Sequence, residues 1–146
     1  MGHIKKPHKQ PSRFKQYLET VKAKASENPD KGVFLISFRQ IDRDQGQSFH
    51  DWENSHLLAD AIETICGYSS LPLIQQLHNK FKIYPGFPPE EKTDFKFPKH
   101  VSTDARWASM HIKGEPCLIG HVVNNTFFLV FLDRYHKFYK SELRNT

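Results

Sequence analysis

The stretch Cys117–Tyr139 reads CLIGHVVNNTFFLVFLDRYHKFY. Asn124-Asn125 is a two-residue polar turn between two runs of β-branched and aromatic residues. That pattern predicts a type I′ hairpin, because Asn tolerates the positive φ such a turn requires. With the turn setting the register, Val123 faces Thr126 and His121 faces Phe128. Thr126–Asp133 (TFFLVFLD) is apolar on both faces and is therefore expected at the centre of a sheet. Upstream, Trp107–Lys113 and Pro116–Val123 flank Gly114-Glu115 and complete a three-stranded meander.

Side chains alternate along a strand, so period two sorts the meander into two faces. One carries Ala108, Met110, Ile112, Cys117, Ile119, His121, Phe128 and Val130, the smaller and drier set, expected to pack against helices. The other carries Trp107, Ser109, His111, Leu118, Gly120, Val122, Phe127, Leu129 and Phe131. There Trp107, His111 and Phe127 make either a surface on which single-stranded nucleic acid can stack, or an apolar layer beneath the 84–104 segment.

Working outward, Val33–Arg39 (VFLISFR) is apolar and predicts a first strand, buried on both faces for much of its length. A helix opens near Ser48, where Asp51 is spaced for a capping box. Leu58, Ala61, Ile62 and Ile65 form its inner face, and Gly67 suits its C-terminal boundary. A third helix is expected from Ser69 or Ser70 with Pro72, turning Leu73, Ile74 and Leu77 inward. Residues 84–104 hold four prolines but also Tyr84, Phe87, Phe95 and Phe97, so they predict an ordered crossing over the core. Near the start, Ser12 caps a short helix whose stripe is Phe14, Tyr17, Leu18 and Val21. Asn28–Gly32 is a turn, and Met1–Pro11 is expected to be a disordered basic arm.

The expected fold class is α+β: one strand, a helical hairpin and a three-stranded C-terminal meander, forming a small, largely antiparallel sheet with helices on one face. Residues 12–146 then form a single domain behind the 1–11 arm. The chain has 146 residues, 21 of them basic and 16 acidic, for a net charge of +5. The excess is concentrated early: Lys5, Lys6, Lys9, Arg13, Lys15, Lys22 and Lys24 stand against Glu19 alone. No stretch approaches a membrane span, and MGHIKKPHKQPSRF lacks the apolar core of a signal peptide, so a cytoplasmic protein with no membrane partner is expected. Cys66 and Cys117 form no CxxC and predict two buried thiols in a reducing compartment.

Chemistry concentrates at Asp133–Lys140 (DRYHKFYK). His136 can transfer protons near neutral pH, while Arg134, Lys137 and Lys140 can stabilise a phosphorane-like transition state. Tyr135 or Tyr139 can orient a base or a 2′-hydroxyl. Such a set suits metal-free RNA cleavage; equally, it is a polar strand end in which Asp133 pairs with Arg134 or His136. Phosphate contacts are expected from Lys5, Lys6, Lys9, Arg13 and Lys15. None of the nine histidines forms HExxH or an i, i+4 pair, so no metal is expected, and no Gly-rich nucleotide loop points to a cofactor.

In element order over Val33–Tyr139, and in the segment Cys117–Tyr139 with its polar two-residue turn and Arg134-Tyr135-His136 ending, the chain resembles the RelE/ParE superfamily of bacterial toxins, YoeB-like members among them. The resemblance implies a ribosome-dependent mRNA endonuclease, neutralised by an antitoxin protein. His136 would be its acid-base group, with Arg134 or Lys137 stabilising phosphate; Tyr139 joins the candidate site from the reading of the strand end itself. Cys117 stands at or next to the strand-three arginine of many such toxins. Two other classes fit the composition: a non-catalytic nucleic-acid-binding module, and a protein-interaction or inhibitor domain of mobile-element or antiphage origin.

Overall fold

The computed structural model describes Gly2 and residues 12–27, 33–70 and 80–140. The chain divides into two compact units, Met1–Lys31 and Gly32–Thr146. The first contains helix α1 (Arg13–Glu27), which Ser12 caps: the Lys15 N–H donates to the Ser12 hydroxyl at 3.2 Å. The stripe of Phe14, Tyr17, Leu18 and Val21 is exposed. Lys5, Lys6 and Lys9 lie outside the described residues, as do the Asn28–Gly32 turn and the expected helix around Leu73, Ile74 and Leu77.

In the second unit the elements run β1 (Leu35–Ser37), α2 (Phe49–Asn54), α3 (Leu58–Tyr68), β2 (Phe81–Ile83), β3 (Arg106–His111), β4 (Cys117–Val123) and β5 (Thr126–Asp133). The architecture is α+β, but the sheet is mixed and five-stranded, in the order β1-β5-β4-β3-β2. It differs from the expected antiparallel sheet in two places. β1 pairs with β5 in parallel, Leu35 opposite Thr126, and β2 adds an unforeseen antiparallel edge to β3. β5 is internal, as its two-sided apolar character requires, whereas β1 is an edge strand with Leu35 44% exposed.

The hairpin register is Val123 opposite Thr126 and His121 opposite Phe128. Asn124 takes the left-handed backbone (φ 53°), but Asn125 has no positive φ, so the turn is not of type I′. The β3–β4 connection is one residue longer than the Gly114-Glu115 spacing suggests. Ile112 N–H donates to the Pro116 carbonyl, Gly114 supplies the positive φ of 75°, and His111 lies opposite Cys117. A one-residue slip exchanges faces, so His111 and Trp107 share theirs with Cys117 and Ile119, contrary to the expected sorting. A bulge at Ile119/Gly120 makes a second exchange within β5, after which Phe131 and Asp133 join the face of Val130. Gly120 permits this close approach: a Cβ there would collide with the Phe128 carbonyl and lie 2.9 Å from the Phe127 ring.

One face carries Met110, Leu118, Phe127 and Leu129 against Phe34, Trp52, Ala61 and Tyr68, so α2 and α3 cover it. The other carries Trp107, Ile119, Val130 and Phe131 under Phe87, Phe95 and Phe138, so the 84–104 segment and the chain after β5 cover it. Apolar burial on this scale, roughly 1.5–3 kcal/mol for each large side chain, explains why a proline-rich crossing is ordered. Its other anchors are polar: Gln45 bonds both the N–H and the carbonyl of Lys96.

Ser48 and Asp51 form a reciprocal capping box at α2. The expected single helix breaks at His56, whose φ is 59°, and Gly67 lies inside α3 rather than at its end. Cys66 is exposed on α3, while Cys117 is buried. No helix among the described residues is long and apolar enough to cross a membrane.

Candidate functional site

β5 ends at Asp133, and the next residues turn rather than continue. The Asp133 carboxylate, 2% exposed, accepts the backbone N–H groups of Lys137 and Phe138, each at 2.9 Å. Burial pushes its pKa up, with those two N–H groups opposing the shift. Its carboxylate oxygens thus staple the turn through backbone N–H groups, and His136 acts on it through charge rather than a hydrogen bond. Inside the turn His136 adopts φ 57°, a left-handed conformation that costs a β-carbon-bearing residue of order 1 kcal/mol and is tolerated where surroundings impose it.

The staple places His136 over the first residue pair of the β3–β4 ladder. The imidazoles of His111 and His136 have centroids 5.2 Å apart and open into a pocket of about 270 Å³. Lys82 from β2, Lys92 and Lys140 supply its cationic walls, and Tyr84 and Tyr139 its aromatic floor. The tyrosine rings stack at 5.1 Å, the Lys92 ammonium lies 5.9 Å from the Tyr139 centroid, and the Tyr84 hydroxyl bonds Ser109 Oγ at 2.8 Å. Burial raises the Tyr84 pKa, keeping it a neutral hydrogen-bonding group. Lys140 is steered by Asp94, whose carboxylate accepts its ammonium at 2.9 Å.

His111 Nδ1 faces the Gly114 carbonyl at 3.2 Å and Cys117 Sγ at 3.4 Å. A carbonyl only accepts, so Nδ1 carries the proton and Nε2 is the basic nitrogen. Cys117, in turn, donates to the Glu115 carbonyl at 3.4 Å. Its pKa is pushed up to about 12, chiefly by burial and then by Asp133, so it is a thiol at neutral pH.

Of the residues proposed at the strand end, His136 and Tyr139 line the pocket, and Arg134 and Lys137 do not. Arg134 turns to the helix side, donating to Ser55 Oγ at 2.7 Å with its guanidinium 5.2 Å from the Tyr135 ring. Lys137 contributes main-chain bonds, its carbonyl accepting Asp94 N–H at 3.0 Å. The stacking trio is dispersed: Phe127 is buried beneath the helices, Trp107 beneath the 84–104 segment, and only His111 reaches the pocket. Arg13 and Lys15 are exposed on α1.

Lys82, Tyr84 and Lys92 escaped the sequence reading. Period-two alternation in Lys80–Tyr84 is the signal for Lys82 and Tyr84, too short to stand out beside an apparently helical run; it says nothing of Lys92. His111, Cys117 and His136 also converge, with one donor atom of each within 4.8 Å of the others, a group that no local spacing reveals.

No protein-family model, curated protein or solved structure matches the chain.

Proposed function

We propose that this pocket cleaves RNA without a metal, in the manner implied by the RelE-like resemblance. The observation that carries the reading is the His111–His136 pair, 5.2 Å between ring centroids, set over a lysine-walled pocket. His111 Nε2 takes the proton of a substrate 2′-hydroxyl as its oxygen forms a bond to phosphorus. His136, protonated, delivers its proton to the departing 5′-oxygen as the P–O5′ bond breaks. The products are a 2′,3′-cyclic phosphate and a 5′-hydroxyl. Lys82, Lys92 and Lys140 stabilise the charge that accumulates on the phosphorane oxygens. The two tyrosine rings offer a surface for a base beside the scissile phosphate. In this assignment lysines from β2, the 84–104 segment and the C-terminal turn take the role first given to Arg134 and Lys137. The ribosome as the place of cleavage and an antitoxin as the neutralising partner belong to the same proposal.

The test is cleavage of single-stranded RNA in the presence of a chelator, with the ends mapped chemically. Cyclic phosphate termini are expected, and 2′-deoxy substitution at the cut site should abolish cleavage. His136→Asn keeps the left-handed turn accessible, since Asn tolerates that conformation, and should lower the rate about 10²–10⁴-fold. Growth arrest on induction of wild type but not of His136→Asn, at matched expression, is the cellular counterpart. Unchanged cleavage by His136→Asn overturns the assignment.

A further inference from the structure

We infer that His111, Cys117 and His136 form a binding site for one transition-metal cation, zinc by preference. The three side chains come from β3, β4 and the turn after β5, and their donor atoms lie within 4.8 Å of one another. In a tetrahedral zinc site, bond lengths near 2.1 Å to nitrogen and 2.3 Å to sulfur put neighbouring ligand atoms about 3.4–3.6 Å apart. Cys117 Sγ and His111 Nδ1 already stand at 3.4 Å. Only His136 must close in, and it lies on the turn after β5 rather than within the ladder.

The donor types suit the metal. One sulfur and two imidazoles form a three-ligand set of the kind that leaves zinc a fourth position for a small ligand. Cys117 is buried below while both imidazoles line the pocket, so that ligand arrives from the pocket side. There Lys82, Lys92 and Lys140 favour an anion, inorganic phosphate included. On coordination Cys117 releases its thiol proton to solvent, and His111 exchanges its bond to Gly114 for a bond to the metal.

The site rests on donor geometry alone; its consequence for cleavage rests on the function proposed above. With Nδ1 on the metal, His111 carries its proton on Nε2 and is no longer the base, and His136 has its nitrogen occupied. The loaded form is therefore the silent one, and zinc becomes a reversible inhibitor of the pocket.

Cobalt(II) titration of the full chain tests the site without reference to RNA. We expect one cobalt per chain, a near-ultraviolet thiolate-to-cobalt band, intense visible absorption of a four-coordinate centre, and loss of both on adding zinc. Cys66→Ser, which removes the exposed thiol, should keep the band; Cys117→Ser should lose it; His136→Asn should weaken binding by at least the ~10–100-fold that loss of a supporting contact costs. Circular dichroism confirms that each variant is folded. No thiolate band in folded wild type, or a band that survives Cys117→Ser, overturns the inference. Where RNA cleavage is present, micromolar zinc should suppress it and chelator restore it, while any cleavage by Cys117→Ser ignores zinc. Cobalt binding without RNA cleavage sinks the nuclease reading and leaves the metal site standing.

Discussion

His121, towards the hairpin end of β4, and His111, opposite its first residue, lie on the same face of one sheet and meet opposite environments. His121 is 5% exposed, stacks on Phe128 at 5.1 Å and bonds Gln40 Oε1 through Nε2 at 2.6 Å. Its Nδ1 is buried with no hydrogen-bond partner, and burial, with His100 nearby, holds its pKa below 6.5. It is a nearly buried, neutral residue at the wall of a separate pocket of about 550 Å³ that Asp104, Arg106 and Asn124 also line. His111 and its companion His136 stand half-buried at a pocket wall, beside cations and polar rings. The difference between the two ends is coverage. The 84–104 segment seals the middle of the face with phenylalanines, and the turn after β5 leaves its far edge open. The two histidines differ in their neighbours: Gln40 and Phe128 hold His121, whereas cations and tyrosine rings surround His111 and His136.

The largest effect that can break this contrast is on cleavage. His111→Gln and His136→Asn should each cost about 10²–10⁴-fold in rate, whereas His121→Gln, which can still donate to Gln40, should cleave like wild type. Equal loss in all three would show that the two ends are not distinct.

Next in size is the hinge between them. Gly120→Ala drives a methyl group into the Phe128 carbonyl and the Phe127 ring beside the bulge. We expect about 3 kcal/mol of lost stability in urea unfolding, at the upper end for overpacking, because backbone rather than a flexible side chain must yield.

A smaller effect sharpens the description of His121. Since the folded-state pKa of His121 lies below 6.5, the unfolded chain takes up that proton first as pH falls. The stabilisation from neutral His121 is whole above 6.5 and declines as pH falls below it. Unfolding measured across that range should be less acid-sensitive in His121→Gln than in wild type. The smallest effect is at the open end: Lys82→Ala should reduce the salt slope of RNA binding by about 1, the signature of one lost phosphate contact.

Several local features were legible where the determining residues are neighbours in the chain, though the type of the Asn124-Asn125 turn and the helix break at His56 were not. Ser12 and Ser48 cap helices through groups three residues away, and the Asn124-Asn125 spacing sets the hairpin register. His136 and Tyr139, read as a cluster of chemically capable side chains, both reach the pocket. Features decided by distant pairing were not legible. The match of β3 to β4 hung on one extra residue around Gly114, and that of β4 to β5 on the bulge at Ile119/Gly120, and each reverses every later side chain. Phe81–Ile83 carries too short a pattern to announce a strand, yet it brings Lys82 to the site. Arg134 reads as a phosphate ligand by proximity to His136, but Ser55, from the α2–α3 junction, captures it on the other side.

The parallel pairing of β1 with β5 also constrains when this molecule can fold. Among the described residues, Leu35–Ser37 pairs with Thr126–Phe128 alone, about ninety residues further along the chain. Closing so long a loop is slow, and it precedes any reward from the contacts it makes. During synthesis, then, β1, α2 and α3 wait without their seam while β5 is still being made. Phe34, buried in the finished molecule, lacks its stacking partner Phe127 until the last strand arrives. A nascent chain stopped at Asn125 would lack the strand that joins the two sides of the sheet, leaving the strand edges and apolar surface that invite self-association.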